Sequence, residues 1–227
     1  MDIVFLAMTL MAGGYCFAGM NENGEWVRPQ LEGTQWKNLY YQSVAFSTEE
    51  YIRIGDVVRV EGRYETNLRH PAHVEDYIVR RFDKVGNLGQ RELIAFLDAH
   101  SEGSVALDAT LSRSGRSLCM VQVESFEVVY KEEGDPRRTR IAFNLPGIPT
   151  TYINTTKKPG YPCTCLRWRA IQDQDVQIPS EVKKIFIGVG LAREFTGADG
   201  QLVPAAPMVI SLITDPAMPG EIDYDNP

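Results

Sequence analysis

The chain has only four cysteines, Cys16, Cys119, Cys163 and Cys165, in 227 residues. Cys163 and Cys165 stand too close in sequence to pair easily with each other, and the spacing is not that of a disulfide scaffold. This predicts a reducing, cytoplasmic setting. Zinc is disfavoured too, because structural sites usually place two residues between paired cysteines and need a second pair. Cys163-Thr164-Cys165, with Cys16, His70 or His73 to complete a site, has neither feature, so no metal or other cofactor is expected. Catalytic signatures are missing as well. There is no Gly-rich phosphate loop ending in Lys-Ser or Lys-Thr, no His-Glu-x-x-His and no Gly-x-Ser-x-Gly elbow. Asp173 and Asp175, near Glu181, read as solvated turn residues. The expectation is a protein that is not an enzyme.

Positive charge is also in short supply. The formal net charge is −7 and the sequence pI about 5.1. The acidic balance argues against indiscriminate binding to duplex backbone, which depends on neutralising phosphates, and does not exclude a local basic groove. Long hydrophobic runs are few. Ile3 to Met20 is almost wholly apolar, but its only charge is Asp2, it carries no positive n-region, and Gly13-Gly14 interrupts it. These features predict two buried strands joined by a turn, with no signal peptide and no membrane span. No low-complexity block or fixed-period repeat is present.

What the chain does have is β-forming residues. Ten Tyr, nine Phe and three Trp accompany many Val, Ile and Thr, a composition that favours strands. Ile3 to Ala7, Tyr15 to Met20 and Glu25 to Arg28 read as one sheet, turning at Met20-Asn21-Glu22-Asn23. Asp56 to Arg63 alternates as a half-buried strand should, and Asp76 to Phe82 is another strand. Asn87 to His100 shifts to helical spacing, with Asn87 placed to cap. From Ser104 the chain is expected to return to strands: Ser117 to Tyr130, Arg138 to Leu145 paired with Thr150 to Thr155, Lys184 to Ala192, and Met208 to Thr214. The fold class is thus mainly β, as two tandem small barrels of the oligonucleotide/oligosaccharide-binding (OB) kind with one or two short helices. The expected division is residues 1–103 with a helix near 88–99, residues 104–214, and an acidic, Pro-containing tail at 215–227.

Several segments, taken in order, resemble prokaryotic dual-OB-domain proteins. These are Ile3-Val4-Phe5-Leu6-Ala7, Gly14 to Gly19, Trp26-Val27-Arg28-Pro29, Gly55-Asp56-Val57-Val58 and His70 to Tyr77 in the first half. Arg140-Ile141-Ala142-Phe143 and Ile187 to Phe195 follow in the second. The resemblance implies tandem OB folds that sense or bind nucleic acid or nucleotides, often in conflict and antiviral systems. That family's first loop tends to be basic or small and polar. Here Met8-Thr9-Leu10-Met11 is mostly apolar, which points to a buried or protein-facing surface instead.

Two aromatic–cationic groupings are the candidate contacts. Trp26 and Arg28 fall on one face of a strand, suited to stacking a base and holding a phosphate, or equally to filling the core and bracing the loop after Pro29. Arg167-Trp168-Arg169, read as a strand, sets both arginines on one face opposite the ring, with Tyr152, Lys157, Lys158 and Tyr161 nearby. That grouping reads either as a nucleic-acid surface or as an exposed charged sheet edge. Arg137-Arg138-Thr139-Arg140 follows the acidic turn at Lys131 to Pro136 and reads as a solvated charge run. The expected function is a non-catalytic module binding single-stranded nucleic acid or nucleotide; the resemblance implies a sensor in a prokaryotic defence system. The alternative is a regulatory subunit that recruits or restrains an effector protein.

Overall fold

A computed structural model describes residues 1–11, 14–31, 50–68, 70–154, 158–174, 181–196, 200–219 and 222. The first half closes into a five-stranded barrel of β1 (Asp2–Met11), β2 (Gly14–Asn21), β3 (Trp26–Gln30), β4 (Asp56–Tyr64) and β5 (Asp76–Asn87), in the order β1-β2-β3-β5-β4. All pairings are antiparallel except that of β3 with β5.

The apolar N-terminal run becomes β1 because that strand is buried on both faces. Ile3 and Phe5 point into the barrel, with Phe17, Val58, Val60 and Phe82, while Val4 and Leu6 point outward. A bulge between Phe5 and Ala7 then places Leu6 and Ala7 together on the outer side and returns Met8 to the interior. Gly19 permits the close approach of β1 and β2, since a Cβ there would lie 2.2 Å from the Val4 carbonyl oxygen. The turn after β2 is built by Asn21, whose Oδ1 accepts from the Asn23 and Glu25 amides at 3.0 and 2.9 Å.

Helix α1 (Gln90–His100) follows β5. Its cap is Gly89, whose amide donates to Glu92 Oε2 at 3.0 Å. Asn87, expected to cap, is the last residue of β5 and donates to Asp56 Oδ1. The expected return to strands at Ser104 is corrected, because Ser104–Leu111 is a second helix, α2, which buries Leu107 and Thr110 at the i, i+3 spacing of one helix face.

The second half comprises β6 (Leu118–Val123), β7 (Ser125–Glu132), β8 (Asp135–Asn144), β9 (Thr151–Tyr152), β10 (Tyr161–Pro162), α3 (Leu166–Asp173), β11 (Lys184–Leu191), β12 (Phe195–Thr196), β13 (Leu202–Val203) and β14 (Pro207–Asp215). One sheet runs β10-β8-β7, with β9 also on β8; another runs β14-β11-β6. A parallel bridge, Cys163 to Val209, joins β10 to β14, and β6 passes into β7 through Glu124. With β6 and β7 taken as one bent strand, the order is that of the first barrel, including a parallel contact between the third and fifth strands. Both sheets cover one core containing Val121, Ile141, Phe143, Trp168, Ile187 and Val209. The turn at Lys131 to Pro136 and the strands over Arg138 to Leu145, Lys184 to Ala192 and Met208 to Thr214 lie where the sequence puts them.

A third apolar cluster joins the halves. The outward residues Val4, Leu6, Ala18, Met20 and Trp26 meet Leu93 and Leu97 of α1 and Leu118, Met120, Phe186 and Ile210 of the second half. Leu166, the first residue of α3, packs into the core of the first barrel, and Cys165 bridges Thr9. Truncating Phe186, which is fully buried in this cluster, removes a large side chain from the contact between the halves. Phe186→Ala is expected to lose about 3–5 kcal/mol of unfolding free energy, read by urea titration. A loss under about 1 kcal/mol would mean that the cluster does not hold the halves together.

Candidate nucleic-acid interface

Trp26 and Arg28 share a face of β3, as the alternation of a strand requires. That face is turned toward the second half of the chain. Trp26 lies in the cluster between the halves and donates Nε1–H to Glu102 Oε2 at 3.3 Å. Arg28 is 7% exposed. The parallel register of β3 and β5 sets it opposite Asp76, and its Nε donates to Asp76 Oδ1 at 2.6 Å. Its Nη2 donates to Ser117 Oγ at 3.1 Å. The expectation that this pair meets a base and a phosphate is therefore corrected: the ring and the guanidinium are spent inside the molecule.

Around Arg28 lies a buried polar cluster that the sequence reading did not assemble. Arg193 Nη2 donates to Asp76 Oδ2 at 2.9 Å, so one carboxylate holds two arginines from opposite halves. Glu75 accepts from the Ser117 amide, the Ser117 hydroxyl and the Leu118 amide. Burial alone would raise the Asp76 carboxyl, but the Arg28 and Arg193 charges outweigh it and hold it below the usual carboxylate range. His73 is fully buried beside this cluster, and neither ring nitrogen has a hydrogen-bond partner among the described residues. Burial first, then the Arg28 charge, push the imidazole from 6.5 down to about 3. The available signal was the family-like segments: Arg28, the His70-to-Tyr77 stretch and Arg193 all belong to them, and they converge here.

The residues around Trp168 are corrected in a different way. Arg167-Trp168-Arg169 is the start of α3, not a strand, so the two arginines do not share a face opposite the ring. Trp168 is 1% exposed and donates Nε1–H to Thr139 Oγ1 at 2.7 Å. Arg167 donates Nη2–H to the Met218 carbonyl. Tyr161 is buried, and Tyr152 stacks parallel on Phe143 with ring centroids 5.7 Å apart. Lys157 lies outside the described residues.

Lys158 and Arg169 are brought together. They line a cavity of about 350 Å³ whose wall also holds Tyr130, Arg137, Arg138, Arg140, Glu132 and Asp135. The cavity lies where the β7–β8 turn, β8, β10 and α3 meet. Five cationic side chains face two carboxylates there. Both carboxylates are engaged: Asp135 with Arg138 at 3.1 Å and Arg137 at 3.6 Å, and Glu132 with Lys158 at 2.6 Å. Lys158 Nζ also sits 5.2 Å from the centroid of the Tyr130 ring. Arg140 donates Nε–H to the Pro159 and Gly160 carbonyls, and Arg169 Nε is buried with no hydrogen-bond partner among the described residues. Burial lowers the pKa of both guanidinium groups, and the like charges of Arg137 and Arg138 add to the effect at Arg169. The charge run at Arg137 to Arg140, expected to be solvated, keeps Arg138 exposed and paired with Asp135, and it forms one wall of this cavity.

Two five-stranded circuits of the same strand order, the second with a helix between its third and fourth strands, define a tandem OB-fold protein. The chain belongs to the dual OB-containing domain family, DuOB, whose model matches residues 1–202. No curated protein and no solved structure gives a significant match. A dual OB domain is consistent with a module that binds nucleic acid or nucleotide. No helix among the described residues is long and apolar enough to cross a membrane.

The buried His73 makes stability depend on pH. Its folded pKa lies below its unfolded value of 6.5, so the unfolded chain takes up a proton that the folded chain refuses. Stability is then fully present above pH 6.5 and falls as the pH drops, by up to about 1.4 kcal/mol per unit. Urea titrations from pH 7 to pH 5 should show that slope, and His73→Leu should flatten it. An unchanged slope in the variant would remove His73 as its source.

Proposed function

We propose that this chain is a non-catalytic nucleic-acid or nucleotide-binding module whose ligand face belongs to the second barrel. The observation that carries this reading is the cavity at Arg137, Arg138, Arg140, Lys158 and Arg169, a cationic excess within a chain of net charge −7. It lies against the second and third strands of that barrel and the turn between its first and second strands. OB folds commonly take oligonucleotides with this region. The corresponding strands of the first barrel present Ala18, Met20, Trp26 and Arg28 to the rest of the molecule. A reading in which the apolar Met8–Met11 segment recruits a protein partner has less support, since Met8 and Thr9 are buried within the chain itself.

Fluorescence anisotropy with labelled single-stranded DNA and RNA across a salt series tests the proposal. Binding should weaken as salt rises, because phosphate contacts release counterions. Arg138→Ala and Arg169→Ala should each weaken binding about 5–10-fold and lower the salt slope by about one. Arg59→Ala, on the first barrel and paired with Asp2 at the surface, should leave binding unchanged. Equal loss in all three variants, or no binding of oligomer or nucleotide at low salt, would reject the assignment.

A further inference from the structure

The cationic cavity has a size and a charge balance that select among phosphate ligands. Resting on the reading that this cavity is the ligand site, we propose that it recognises a terminal phosphate monoester carried by a single nucleotide unit, and not the internal phosphodiesters of a strand.

The first argument is charge. Asp135 and Glu132 are already paired with Arg138, Arg137 and Lys158, whereas Arg140 and Arg169 have no ion-pair partner among the described residues. The excess of cations over carboxylates in the lining is three. An internal diester carries a single negative charge. A monoester carries about −1.5 to −2 near neutral pH and offers three strong acceptor oxygens, and a second or third linked phosphate adds more. The monoester therefore matches the surplus more closely, and its extra acceptors suit a site lined by several guanidinium groups.

The second argument is an unfilled donor. Arg169 Nε is buried and has no partner among the described residues, and a buried donor in that state carries a desolvation cost. Arg169 also lines the cavity, and an anionic oxygen entering there would satisfy this donor once the guanidinium turns toward it. The diester of a strand running across the surface presents its two free oxygens at the rim, while a chain end can enter.

The third argument is shape. A volume of about 350 Å³ stands at the small end of ligand pockets, roughly 300–1,000 Å³. Strand-binding OB folds track about 4–16 nucleotides over successive aromatic platforms. Here Tyr130 is the only aromatic residue lining the cavity among the described residues, and Lys158 stands close to its ring. Tyr152 and Tyr161, the nearest other candidates, pack on Phe143. A single ring, with Lys158 over one face, leaves at most one face for one base and no succession of platforms for a strand.

The test is a competition on the full chain. A single-stranded oligomer of fixed sequence is compared with a 5′-phosphate and with a 5′-hydroxyl, and nucleoside mono-, di- and triphosphates and inorganic phosphate are titrated as competitors. The expected result is at least a tenfold preference for the phosphorylated end, lost in Arg169→Ala and in the more exposed Arg138→Ala. Displacement by nucleotides at similar concentrations would identify free nucleotide as the source of the monoester. Displacement only by the phosphorylated oligomer would identify a strand end. Equal binding of both oligomers, with both variants still weakening it, would overturn this inference and leave the second-barrel assignment standing. No binding of any probe at low salt would overturn both. Circular dichroism of the two variants separates loss of binding from loss of fold.

Discussion

Strand β1 is buried on both faces, and the rest of the architecture depends on that. A strand on a solvated barrel would alternate apolar and polar residues. Residues 3–9 instead are all buried, with the bulge at Leu6 and Ala7 distributing them between two cores. The outward set cannot face water without exposing several large side chains, each contributing about 1.5–3 kcal/mol when buried. The second half supplies the cover through Leu118, Met120, Phe186 and Ile210. In return its helix α3 sends Leu166 into the interior of the first barrel. The two halves are therefore not beads on a linker.

The polar cluster at Asp76 is the counterpart of this apolar contact. Buried ion pairs add little net stability, because desolvation offsets attraction, but removal of one partner leaves a costly unpaired charge. Arg28 comes from β3, Asp76 from β5, Ser117 from just before β6, and Arg193 from just after β11. Only one docking of the halves lets one carboxylate serve both arginines while Glu75 serves the Ser117 and Leu118 amides. The cluster thus specifies the arrangement that the apolar contact stabilises. It also fixes which barrel faces solvent with its second and third strands.

Much of the fold was legible because strand patterning is local. The hairpin turn at Asn21, the α1 helix and the strands through Arg138 to Leu145 and Lys184 to Ala192 are marked by alternation or by turn residues within a few positions. The α2 and α3 helices were not legible. Each is a single eight-residue span, about two turns, too short for helical periodicity to outweigh the β-forming residues around it. The grouping of the candidate residues was legible only in part. Aromatic and cationic residues were visible as candidates, but whether Trp26 and Arg28 face a ligand or the other half of the chain depends on contacts more than 40 residues away. Arg169 was named for a strand face and Lys158 as charge near it, and they meet at a cavity for another reason: α3 lies at the end of the second barrel beside the β7–β8 turn.

The acidic balance of the chain sharpens what its cationic cavity can do. A net charge of −7 repels a polyanion at long range, where screening leaves interactions effective only over about 8–10 Å at physiological salt. A strand approaching at random meets that repulsion along its whole length, whereas a single phosphate-bearing group meets it briefly and enters a pocket of opposite sign. Short-range attraction within a repulsive surround favours ligands whose charge is concentrated at one end. Non-specific binding to nucleic acid is a sum over many weak phosphate contacts, and an acidic surface disfavours that sum while Arg138, Arg140 and Arg169 stay grouped at one cavity. The same five cations spread over a basic protein would bind more kinds of polyanion and distinguish fewer of them.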